Sequence, residues 1–270
     1  MPQFIRQHPA LSLLILAMAI GLLLIAPVAL GVLPIGFLQL GAASASVAGL
    51  ILTAVDGGRR AVGELLRRGL IWRVGAGWWA FALLFPIVPT LVALYLGAAV
   101  GGQPLDWSNL PPIHQGIPAL AFLIVAAGVG EEYGWRGFGV VRVQQRHDPL
   151  MASLIIGACH SVWHLPLFLI EGEAYQNLAV QHGLPAAFLG FAVMVTASAV
   201  QFSWLFNRTR GSVLLVAVFH GATNAWNGYF DIFRVGMTGV VAYLAVLVTV
   251  SAVLAVDLRK RPRDLTAATG

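Results

Sequence analysis

Between residues 11 and 256 the chain contains eight runs of apolar residues, near 11–33, 36–55, 74–100, 118–140, 150–170, 184–206, 211–228 and 236–256, and nearly all of its charge lies between them. A bilayer core about 30 Å thick, crossed at 1.5 Å per residue, needs about 20 apolar residues per span. Each run therefore predicts one crossing. Of the 270 residues 59% are apolar and only 10% charged, where soluble domains carry about 25% charged residues. The same figures exclude disorder, coiled coil, collagen and a disulfide-stapled secreted domain. Cys159 is the sole cysteine, so no internal disulfide is available. The expected fold class is all-α: a polytopic membrane bundle of about eight transmembrane helices. No internal repeat interrupts residues 1–270, which read as a single transmembrane domain.

A net charge of +5 is compatible with nucleic-acid binding, but the distribution of charge argues against such a partner. Arg59, Arg60, Arg67, Arg68 and Arg73 fall in one inter-run stretch, and Arg259, Lys260, Arg261 and Arg263 form the tail. With the N-terminus inside, alternate loops put these residues in the cytoplasm together with Arg6, Arg142, Arg146, Arg208 and Arg210. Asp106, Glu171, Glu173 and Asp231 fall outside, with Arg234 as the one external arginine. That asymmetry follows the positive-inside rule. It places the protein in the cell membrane as a multi-pass protein with both termini cytoplasmic and the lipid bilayer as its surroundings.

Glu131, Glu132 and Arg136 lie inside the fourth run, where each ionised group costs about 2.5–3.5 kcal/mol near mid-bilayer. Glu132 and Arg136 stand four residues apart with the acid first, the favourable orientation for a helical ion pair. Glu131 lies about 140° round the helix from Arg136, too far for one cation to serve both carboxylates. It is left without a partner on its own helix and becomes the candidate for chemistry. Gly128, Gly130, Gly134, Gly137 and Gly139 surround it, and either close helix packing or room for a substrate backbone would account for them. The fifth run carries His160 and His164, and the seventh carries His220 and Asn224; each pair is spaced to share a helix face. Three imidazoles, an amide and a free carboxylate fall at similar depth on three spans, so they can meet. His8, His114, His147 and His182 fall in loops or at a terminus, where solvation accounts for them.

In Glu131-Glu132-Tyr133-Gly134-Trp135-Arg136, then His164-Leu165-Pro166, then His220-x-x-x-Asn224, the sequence resembles the CaaX prenyl protease and bacteriocin-processing (Abi) family, which includes the Ras-converting CAAX endopeptidase. The motif-bearing core covers about 118–228. The resemblance implies a bundle of about eight helices around a cavity open to the cytoplasm. By the same resemblance Glu131 and His164 activate a water, and His220 and Asn224 hold the oxyanion. One position departs: His160 stands where the second motif has Phe or Trp.

The leading expectation is an intramembrane endopeptidase that hydrolyses a peptide or protein substrate entering a membrane cavity, without a metal or other cofactor. A zinc protease is the alternative, its ligands drawn from His160, His164, His220 and Glu131, although no His-Glu-x-x-His motif is present. A non-catalytic membrane protein, serving in transport, immunity or scaffolding, is the alternative from another class.

Overall fold

The computed structural model describes residues 2–102 and 104–260; Arg261 and Arg263 of the basic tail lie outside the described residues. Eleven helices carry the fold: α1 Pro2–Gln7, α2 Pro9–Ala29, α3 Ala43–Arg67, α4 Ala76–Leu84, α5 Ile87–Gly101, α6 117–143, α7 Pro149–Trp163, α8 Ala174–His182, α9 Leu184–Arg208, α10 Val213–Phe230 and α11 Gly236–Lys260. No strand occurs among the described residues. Among the described residues seven helical stretches are long and apolar enough to cross a membrane. The eighth expected span, α10, has 18 residues but is less apolar, because its second half carries His220, Thr223, Asn224 and Asn227. This is an all-α, multi-pass membrane protein.

Local chemistry explains where the helices start and break. Asp148 caps α7 by accepting hydrogen bonds from the amides of Leu150 and Met151, and Pro149 takes the first helical position, where its missing N–H costs nothing. Ser212 caps α10 by accepting from the amide of Leu215 at 3.1 Å. The expected run 74–100 divides into α4 and α5 at Phe85-Pro86, since an interior proline lacks the N–H and crowds the carbonyl one turn back. The first part of the run 36–55 is a 3₁₀ segment, Ile35–Ala42, entered from Pro34.

Helix α6 is the axis of the bundle, packed between α3 and α10, while α7 packs on α9 and the α5–α11 pair closes the far flank of α9. Two π-helical stretches, Ile124–Val129 and Tyr133–Val140, flank Glu131 and Glu132 on α6; such widened turns concentrate at functional sites. Close approach accounts for the glycines. A Cβ on Gly128 would lie 2.2 Å from the carbonyl oxygen of Ala217 on α10, and one on Gly134 2.1 Å from that of Ala45 on α3. Backbone meets backbone at both points, so helix packing, not space for substrate, explains these two positions.

Gly134→Ala should therefore push α3 from α6 and lower stability by about 1–3 kcal/mol, the usual cost of overpacking. Gly63→Ala is the control, because a Cβ there meets nothing within 4 Å. Thermal unfolding in detergent is the measurement: Tm should fall for Gly134→Ala and stay level or rise for Gly63→Ala.

Candidate active site

The neighbouring carboxylates of α6 take separate partners. Glu132 Oε1 accepts from Arg136 Nη1 at 3.1 Å and from His220 Nδ1 at 2.8 Å. Glu132 and Arg136 are wholly buried, and the Arg136 guanidinium sits 4.7 Å from the centre of the Phe202 ring, a cation–π contact. Glu131 has no partner on its own helix, but α7 supplies one: His160 Nε2–H donates to Glu131 Oε2 at 2.7 Å. Neither cross-helix bond can be read from spacing along the chain.

His160, at the position where the resembling family carries an aromatic residue, still behaves partly as one. Its ring stacks on Trp135 with centroids 4.8 Å apart and planes 26° from parallel. One turn on, His164 Nδ1–H donates to the His160 carbonyl at 3.0 Å, which leaves Nε2 as the nitrogen available to a ligand. The Phe191 ring packs against His164 at 5.0 Å. One ligating atom each from Glu131, His160 and His164 lie within 4.8 Å of one another, a donor set that could hold a transition metal. His220, also a candidate ligand from the sequence, is not in this group; its Nδ1 is committed to Glu132.

Two adjoining clefts meet at Glu131, His164, Tyr175 and Asn224. The larger, about 750 Å³ out to its open mouth, runs along Met18, Leu22 and Ile25 of α2 toward Leu38, Gln39 and Glu173. The second reaches between α9 and α10 to Phe202, His220 and Asn227. Asn224 is exposed to this space one turn beyond His220. The mouth at Gln39 and Glu173 lies at the end of the bundle away from the arginine-rich loops. The arginine-rich loops and the mouth of the larger cleft thus lie at different ends of the molecule.

Sequence reasoning missed Tyr175 and Phe191. Tyr175 sits on α8, a helix hidden in what read as an outer loop; its signal was Glu173, whose carboxylate caps α8 by accepting from the Ala174 amide at 2.6 Å. Burial, with the charges of Glu173 and Glu131, pushes the Tyr175 hydroxyl above the usual phenol range. It borders the cavity as a neutral group.

Residues 113–226 match the family described as Type II CAAX prenyl endopeptidase Rce1-like. The chain is also similar to CAAX prenyl protease 2 of Methanococcus maripaludis, 30% identical over 148 residues that make up 53% of this chain and 52% of the relative. It thus spans about half the length of that relative. The family match begins just before α6 and ends within α10, taking in Glu131, Glu132, Arg136, His160, His164, His220 and Asn224. The segment that builds this site is therefore the part of the chain that is similar to the CAAX prenyl proteases.

Proposed function

We propose that the protein is an intramembrane endopeptidase in which Glu131 and His164 activate a water while His220 and Asn224 receive the oxyanion. The observation that carries this reading is the placement of Glu131 and His164. Their ligating atoms stand within 4.8 Å, the span of one bridging water, on a cavity that Asn224 also borders. His160 occupies Oε2 of Glu131, leaving Oε1 for that water. As the water oxygen attacks the scissile carbonyl carbon, its proton passes to Glu131. The tetrahedral oxyanion takes N–H bonds from the Asn224 amide and from His220 Nε2. Collapse breaks the C–N bond, and the proton on Glu131 leaves with the amine. General-base catalysis contributes about 10²–10⁴-fold, and each oxyanion donor about 10²–10³-fold.

The role of His220 has a condition. With Nδ1–H given to Glu132, the ring has an N–H at Nε2 only as the imidazolium. The carboxyl group of Glu132, 2.8 Å from Nδ1, favours that state.

The cluster of Glu131, His160 and His164 also supports a second reading, a zinc protease. Quenched-fluorescence peptide cleavage by the purified protein separates the two. Under the glutamate reading, turnover survives exhaustive chelation and survives His160→Phe, which keeps the stack on Trp135 and removes a ligand. Stoichiometric zinc whose removal stops turnover, and whose return restores it, would establish the metal mechanism instead.

A further inference from the structure

The two ends of the bundle differ in charge and in packing, and the larger cleft at the candidate site opens toward one of them. At the first end, Arg6 pairs with Asp56 at 2.6 Å, Arg142 with the same carboxylate at 3.0 Å, and Arg208 Nε with Asp257 at 2.8 Å. Arg146 reaches the Gln7 carbonyl at 2.9 Å, and Arg210 reaches that of Arg73. These contacts gather the N-terminal helix, the 56–73 stretch, the turn after α6 and the C-terminal ends of α9 and α11 at one face. The opposite end holds the 30–42 segment, the loop with Asp106, the turn with Glu171 and Glu173, and the turn with Asp231 and Arg234. Its parts touch one another: Ile25, Val28, Leu38 and Ile170 form one apolar cluster, and Arg234 donates to the Asp106 carbonyl.

Between the site and the arginine-rich face the interior is filled. Trp135, Phe138, Ile156, Leu205, Phe206 and Leu215 are each no more than 1% exposed and form one continuous core below Glu131. On the other side of Glu131 the cavity passes Met18, Leu22 and Ile25, three positions on one face of α2, to reach the exposed Gln39 and the partly exposed Glu173. Clustered arginines mark the cytoplasmic side of membrane proteins. A site plugged on the arginine-rich side and open on the other therefore faces away from the cytoplasm.

We propose that the site takes its substrate from the non-cytoplasmic side. The occupant is an apolar, extended peptide segment of an exported or membrane-inserted protein, laid along α2 and Leu38 with its scissile bond at Glu131 and His164. This substrate class rests on the endopeptidase reading; the direction of entry does not. The larger cleft fits such a segment because its long wall is apolar while its polar groups lie at its two ends, Gln39 and Glu173 at the mouth and Glu131, His164 and Asn224 at the floor.

The test uses the full chain in intact bacterial cells, with Cys159→Ala as background and single cysteines introduced by Gln39→Cys, Glu173→Cys and Arg60→Cys. The probe is a membrane-impermeant maleimide. Expected is labelling of Gln39→Cys and Glu173→Cys in intact cells to the extent seen after permeabilisation, with Arg60→Cys labelled only after permeabilisation. Labelling of Arg60→Cys in intact cells with protection of the other two would overturn the proposal. Should Cys159→Ala lower expression, Cys159→Ser replaces it as background. A second arm follows peptide turnover after labelling in detergent: a bulky adduct at Gln39→Cys should stop cleavage, while one at Arg60→Cys should leave it unchanged. Unaltered cleavage with the Gln39→Cys adduct in place would overturn entry through this mouth. Absence of turnover in the unlabelled parent protein would count against the endopeptidase reading alone, since the labelling pattern still decides the direction.

Discussion

Glu131→Gln should abolish peptide turnover while leaving the fold intact. The substitution keeps the shape of the side chain and keeps an oxygen to accept from His160 Nε2–H, the 2.7 Å bond that ties α6 to α7 at this point. What it removes is the capacity to take a proton from water. Loss of the general base alone costs about 10²–10⁴-fold. The remaining donors, His220 and Asn224, act on an oxyanion that no longer forms. Initial rates with a quenched peptide, run beside a Tm for each protein, make the measurement. Equal turnover in the parent and in Glu131→Gln would end the glutamate mechanism, whereas a lowered Tm would show that the carboxylate charge supports the fold. His164→Ala should lose activity to a similar degree with the Glu131–His160 bond unchanged, because the His164 ring touches α7 through its own backbone turn.

Legibility differed between elements and contacts. The spans follow from apolar length, and the start of α7 from Asp148-Pro149, because both depend on physics within one segment. The break at Pro86 and the 3₁₀ entry to α3 also have local causes, but a continuous apolar run masks them. Helix α8 was hidden because its nine residues are too few and too polar to register as a span. In the site, the spacing of His160 with His164 and of His220 with Asn224 shows which groups share a face. It does not show which helix each face meets. Glu131 read as unpartnered because its partner lies 29 positions away on α7, and Glu132 read as serving Arg136 alone because His220 lies 88 positions away on α10. The direction of the cavity is the property least legible in the sequence: charge distribution orients the helices, whereas the open end depends on which half of the bundle is filled by Trp135, Phe138 and Phe206.

The bond from Glu132 to His220 changes what substitution at Glu132 should do. A purely structural ion pair would make Glu132→Gln a matter of stability. Because one oxygen serves both Arg136 and His220, the substitution should damage stability and turnover together. With Glu132 neutral, Arg136 remains a wholly buried cation facing the Phe202 ring. Removing one partner of such a pair costs about 3–5 kcal/mol. His220 loses the carboxylate that orients it and balances its charge, so the oxyanion donor at Nε2 weakens, a loss of about 10²–10³-fold. The two effects separate in the double variant Glu132→Gln/Arg136→Met. Replacing the cation by an apolar side chain of similar length removes the unpaired charge, and unlike-for-like exchange of a whole buried pair is often neutral or stabilising. Its Tm should return most of the way to the parent value. Turnover should stay low, because His220 still lacks its carboxylate. Tm and kcat measured on the parent, the single and the double variants form the test. Recovery of kcat along with Tm would show that Glu132 serves only the ion pair and that His220 needs no help from it.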